Sequence, residues 1–139
     1  MMHMKNIETV NHDRITLEYP MKTSVKILFS RLSTAEGLSQ WFADNVESEE
    51  NRFVFTWEEE QQVAEKVAEK ENHYVRYRWI DDENSVGEKY FEFRVEQNEL
   101  TREVILTIID QAEPEEHDSV KELWDFYVEN LKRLIGSKN

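Results

Sequence analysis

The sequence contains no cysteine in its 139 residues, which removes disulfides, thiolate nucleophiles and cysteine-ligated zinc, and suits a reducing compartment. Glycine and proline are scarce, three and two. Isolated glycines cannot build a phosphate-cradling loop, and no G-x-S-x-G motif is present. With so few breakers there is also no flexible linker, low-complexity tract or internal repeat. Basic residues are few: 17 Lys and Arg against 30 Asp and Glu give a formal net charge of -13. A nucleic acid or an anionic membrane needs a concentrated cationic surface, so neither is expected as a partner. No apolar run approaches bilayer length, and "MMHMKNIETV" lacks the apolar core of a signal peptide. The expectation is one soluble, cytoplasmic domain over residues 1–139, its first eleven residues a loose lead-in.

Motifs for metal or covalent chemistry are missing too. The four histidines, at positions 3, 12, 73 and 117, have no H-x-x-x-H or H-E-x-x-H spacing, so no metal and no cofactor is expected. His73 reads as a surface residue. The acidic runs "EEE" at 58–60 and "EPEEHD" at 113–118 lack a glycine-containing calcium loop and read as solvated turns and a helix N-terminus. No catalytic residue is assigned on this reading.

What the chain does have is aromatic side chains, 12% of residues with four Trp, too many for a disordered chain of this charge. "RITLEYP" alternates Ile15, Leu17 and Tyr19 against polar residues and stops at Pro20, predicting a strand. "TSVKILFSRLS" places Val25, Leu28, Phe29 and Leu32 at helical spacing. Ser33 and Glu36 read as a capping box that opens a second short helix through "TAEGLSQWF". From Ala43 to Gln111 the period is two. Phe53, Phe55 and Trp57 share a face, as do Val75, Tyr77 and Trp79, then Phe91, Phe93 and Val95, then Val104, Leu106 and Ile108, with turn signals at "ESEEN", "DDENSVG" and "QNELT". The opposite face is mostly charged, and Arg76, Arg78 and Arg94 there read as cross-strand ion pairs with Glu92 and Glu96. Ile105 and Ile109 stand out on that face as a partner or dimer contact or an edge under cover. "EEEQQVAEKVAEKEN", residues 58–72, is ambiguous. As a helix it would bury only Val63, Val67 and two alanines, so it is read as a strand entering the next one through a turn at "EKEN". The chain closes with a helix that starts at a Ser119 and Glu122 capping box. Its stripe is Val120, Leu123, Trp124, Tyr127, Val128, Leu131, Leu134 and Ile135, and it ends at Gly136. Only the apolar face of the strands is large enough to cover it.

This order, with "SVKILFSRLSTAEGLSQWFADNV" and "VAEKENHYVRYRW", resembles the START-like superfamily and its helix-grip fold. Within it the chain is most similar to the bacterial branch related to the activator of the ninety-kilodalton heat-shock chaperone's ATPase. Thr34, Ala35, Glu36, Leu38, Trp41 and Phe42 match a segment of that branch, and Tyr77 to Trp79 match a later strand loosely. The likeness runs from about Arg14 to Ile135, although the paired glycines before the third strand and the proline of the next hairpin are missing. It implies an α+β fold: a curved antiparallel sheet of about seven strands wrapped around a long C-terminal helix, with two short helices after the first strand.

The resemblance further implies a cavity between sheet and helix. Its lining would be Trp57, Tyr77, Trp79, Phe91 and Phe93 from the sheet and Trp124, Tyr127 and Val128 from the helix, with Trp41 and Phe42 near the mouth. Three readings stand at this point. The first is a binding protein for a small apolar, lipid-like molecule, and the second a co-chaperone-like module with a filled core that meets a protein partner. The third, weaker one is a cavity enzyme of cyclase or dehydratase type, as in some superfamily members. The chain is expected to be a monomer or a weak homodimer.

Overall fold

The computed structural model describes residues 13–80 and 89–136. Seven strands form one antiparallel sheet: β1 (Arg14–Met21), β2 (Asn45–Glu49), β3 (Arg52–Trp57), β4 (Glu60–Lys70), β5 (Tyr74–Trp79), β6 (Tyr90–Gln97) and β7 (Val104–Gln111). Their order across the sheet is β1-β7-β6-β5-β4-β3-β2. Two helices, α1 (Val25–Ser33) and α2 (Ala35–Leu38), carry the chain from one sheet edge to the other, and α3 (His117–Leu134) follows β7 through a 3-10 turn at Pro114–Glu116. This is the expected curved sheet and long C-terminal helix, with two short helices after the first strand. The loose lead-in expected at residues 1–11 and the whole of the "DDENSVG" turn lie outside the described residues.

The rows of one strand face after another make the core. Leu17 and Met21 on β1, Val104, Leu106 and Ile108 on β7, Phe91, Phe93 and Val95 on β6, Val75 and Tyr77 on β5, Ala64 on β4, and Phe53 and Phe55 on β3 are all buried. Leu28, Phe29 and Leu32 from α1 join them, with Trp124, Val128 and Leu131 from α3. Residues 60–70 are strand, as read. Both flanking strands are aromatic and need a hydrogen-bonding neighbour, and this pairing overrides the local helical pattern. The register shifts between Lys66 and Ala68, a bulge that leaves Val67 exposed. Asn72, at φ 64°, makes the tight turn into β5.

Several local expectations are corrected. β1 continues through Pro20 to Met21, paired with Ile105 and Val104; β1 is an edge strand, where a missing N–H costs no ladder bond. The second helix is capped by Thr34, whose hydroxyl accepts from the Gly37 amide at 2.9 Å, while the Ser33 hydroxyl donates back to the Phe29 carbonyl. α2 is a single turn. The last helix begins before Ser119, at His117, and the capping box is that of the 3-10 turn leading into it, Glu113 with Glu116, where Pro114 sits well in the first turn. "ESEEN" is mostly strand β2, with its turn at Glu50 and Asn51. On α3, Leu123 and Leu134 are exposed, so the buried stripe is narrower than the sequence pattern.

The outer face is not uniformly solvated either. Glu92 is 2% exposed there, between Arg76, whose Nε donates to it at 2.8 Å, and Arg94, which also pairs with it. The two guanidinium groups lie over the rings of Tyr90 and Tyr74. Arg78 pairs across strands with Glu65, at 2.8 Å, in place of Glu96.

Candidate functional site

The strongest candidate site lies where the sheet meets the N-terminal half of α3. Each sheet row that forms the core runs out at this end into larger or more polar side chains: Trp57 after Phe55, Trp79 after Tyr77, Gln62 and Glu60 after Ala64, and Asp110 after Ile108. With Val120, Leu123, Trp124 and Tyr127 of α3 and Phe42 beneath, these residues enclose a pocket of about 420 Å³, within the usual range for small-ligand sites.

The expected site residues divide into two groups. Phe42, Trp57, Trp79, Trp124 and Tyr127 line the pocket. Trp41, Tyr77, Phe91, Phe93 and Val128 are packed below it, each nearly or fully buried. Phe42 separates the groups, stacked on Trp124 with centroids 5.4 Å apart and edge-on to Trp57, Phe55 and Tyr127. It is positioned by the turn that follows α2, because Phe42 N–H bonds the Leu38 carbonyl.

Hydrogen bonds fix the rings around it. Trp57 Nε1 donates to the Phe42 carbonyl at 2.8 Å and Trp41 Nε1 to the Arg31 carbonyl at 2.9 Å. The Tyr77 hydroxyl donates to the Leu32 carbonyl at 2.7 Å. Burial, aided by the charge of Glu69, pushes the Tyr77 phenol well above its ordinary range.

Asp110 is the polar feature that sequence reading missed. Trp124 Nε1 donates to its Oδ2 at 2.9 Å, and the Gln111 amide donates to Oδ1 at 2.8 Å. Desolvation holds its carboxyl above the usual carboxylate range, against the pull of both hydrogen bonds. The signal was in the alternation: Val104, Leu106, Ile108 and Asp110 are one row, and the apolar pattern ends one step before the residue that reaches the pocket. Glu60 and Gln62 extend the row of Ala64 in the same way.

No His, Ser, Lys or Arg occurs among the described residues that line this pocket, and no cluster of metal-ligating side chains occurs among the described residues. A second depression of about 600 Å³ adjoins it across Phe42, Trp57 and Tyr127. It is larger, but Ser39, Gln40, Asp44, Glu58 and Asn130 make much of its wall, so it offers less apolar surface to a ligand. A third, of about 530 Å³, lies apart beside Val25, His73 and Asn98.

A seven-stranded sheet gripping a C-terminal helix, with an aromatic pocket at one end of the grip, defines a helix-grip protein. A model of the START-like superfamily domain matches residues 9–137, and the chain belongs to that superfamily, whose members often bind hydrophobic ligands. It is similar to a Bacteroides fragilis protein whose solution structure is known, at 42% identity and TM-score 0.63 over 88% of this chain and 90% of that one. It shares the fold of the Aha1 dimer from Colwellia psychrerythraea, at 16% identity and TM-score 0.71 over 88% of this chain and 95% of that one. It also shares the fold of DynU16, described as a putative protein in the dynemicin biosynthetic locus, at 14% identity and TM-score 0.72 over 90% of this chain and 48% of that one. No curated protein matches the sequence. Among the described residues, no helix is long and apolar enough to cross a membrane.

Proposed function

We propose that the protein binds a small apolar molecule in the pocket between the ends of β3, β4, β5 and β7 and the first half of α3. The observation that carries this reading is the set of rings at the pocket wall. Trp57, Trp79 and Tyr127 are only half-buried, whereas their neighbours one step along each row are sealed. Large aromatic surface held open by hydrogen-bonded scaffolding gives a ligand apolar area without first having to order the site. The body of the domain is filled by the lower rings, so the ligand occupies the mouth of the grip and not its interior. Native mass spectrometry followed by denaturing extraction tests this. A retained apolar molecule, or saturable Trp fluorescence changes with a panel of apolar compounds that vanish in Trp79→Ala, supports it. An apo mass with no response to any compound overturns it.

A second reading, a module that meets a protein partner, is favoured by one observation: Phe126 and Leu134 are 59% and 37% exposed on α3, outside the lining of that pocket. The Aha1 structure that shares this fold is a dimer, which suits a weak homodimer as one form of such contact. Sedimentation of the wild type and Phe126→Asp at high concentration separates the two readings, because the substitution leaves the pocket lining intact.

A further inference from the structure

We infer that the occupant of the pocket carries a positively charged head, so that the ligand class is an apolar amine or alkylammonium compound and not a fatty-acid-like anion. This rests on the pocket being the binding site. Three features of the pocket have the same electrostatic sign. Its wall contains the rings of Phe42, Trp57, Trp79, Trp124 and Tyr127, of which Trp57, Trp79 and Tyr127 are the half-exposed ones; the face of such a ring carries the negative end of its quadrupole and attracts cations. Two carboxylates stand in the same wall, Asp110 deep against Trp124 and Glu60 opposite Trp57 in the β3–β4 ladder. No basic side chain lines it among the described residues.

Asp110 is the decisive group. A carboxylate accepts about four hydrogen bonds; this one accepts from Trp124 and Gln111, which leaves acceptor capacity at the pocket wall. Among the described residues no cationic side chain lines the pocket beside it; partial burial without such a partner is unfavourable for a carboxylate, and a bound ammonium would supply one. An anionic head in the same place would meet two carboxylates and, among the described residues, no basic side chain. The formal charge of -13 over the whole chain adds a long-range field of the same sign, which salt screens.

The test is a Trp fluorescence titration with decyltrimethylammonium, decanol and decanoate below their micelle concentrations at moderate salt. The expected result is that the ammonium binds about tenfold tighter than the alcohol, as rings and a carboxylate together imply, and that decanoate binds weakest. In Asp110→Asn with Glu60→Gln the ammonium should fall to within about threefold of the alcohol, while the alcohol is unchanged. Glu60→Gln alone, at an exposed position, gives a partial loss if the pair is poorly folded. Alcohol binding as tightly as the ammonium, with both lost in Trp79→Ala, overturns the charge inference and leaves the pocket reading intact. Ammonium preference that survives the double variant places the selectivity in the overall field and also overturns it. No saturable binding of any probe overturns the pocket reading itself.

Discussion

Phe42 meets the rings of Trp41, Phe55, Trp57, Phe91, Phe93, Trp124 and Tyr127, and so closes the floor between pocket and core. Phe42→Ala removes that floor. The expected cost is about 3–5 kcal/mol, read as a lower urea midpoint, with the pocket joined to the space left behind. The Tyr19–Asp125 pair gives a pH prediction at the same scale. The Tyr19 hydroxyl donates to Asp125 Oδ1 at 2.6 Å. Burial, this bond and the carboxylate's charge raise the Tyr19 phenol, while the bonds from Tyr19 and Lys121 lower the Asp125 carboxyl. Depressed in the native state, Asp125 contributes stability above the ordinary carboxylate pKa of about 4, lost as pH falls through its native value. Raised in the native state, Tyr19 contributes stability below about pH 10, lost as pH climbs through its own. The stability difference between wild type and Tyr19→Phe should therefore be widest between about pH 5 and 10 and close toward both extremes, as urea midpoints taken across pH would show. Equal differences at all pH values would mean that the pair does not titrate with folding.

At the scale of the element, the α1–α2 junction is a tight joint. A Cβ at Gly37 would lie 2.4 Å from the Ser30 carbonyl oxygen and 2.7 Å from Arg31 Cα, both backbone atoms, so Gly37→Ala must push the helices apart. Chemical denaturation should show a loss of about 1–3 kcal/mol, and Thr34→Ala should cost about 1 kcal/mol through the lost cap. Because α2 leads directly to Phe42, Gly37→Ala should also weaken ligand uptake. Elements such as β3, β5, β6 and β7 were legible in the sequence because alternation of large apolar residues over six or more positions has one structural meaning. β4 was legible only through its neighbours, since Val63, Ala64, Val67 and Ala68 satisfy helix and strand patterns alike. Caps and boundaries were misplaced by one to a few residues, because Ser33, Thr34, Ser119 and Glu113 are all competent caps and tertiary packing chooses among them. The aromatic half of the pocket wall was legible too, and its acidic half was not, because Asp110 and Glu60 sit just past the last apolar residue of their rows.

For the whole molecule, the excess of 13 negative charges sets the response to solution conditions. Self-repulsion opposes the folded state and is screened by salt. Raising NaCl from roughly 0.01 to 0.3 M should move the urea midpoint upward, since the Debye length falls from about 30 Å to under 10 Å; a midpoint that falls would show that ion pairs such as Arg76–Glu92 and Arg78–Glu65 outweigh the repulsion. Glu92→Gln isolates that contribution, with an expected loss of about 1–3 kcal/mol from bonds to a charged acceptor.

The order of the strands also governs how the chain must assemble. β1 lies against β7, so in the growing polypeptide it waits for a partner made roughly ninety residues later, on the order of 5–20 s at usual synthesis rates. The strands between them form a consecutive meander, each paired as soon as the next emerges, and only the arrival of β7 gives β1 its ladder. Through that interval β1 is an orphan edge, and Pro20 interrupts the row of amides that a stray strand would need. The residue that looks like a strand terminator in the sequence thus guards the waiting strand against the wrong partner until the right one is synthesised.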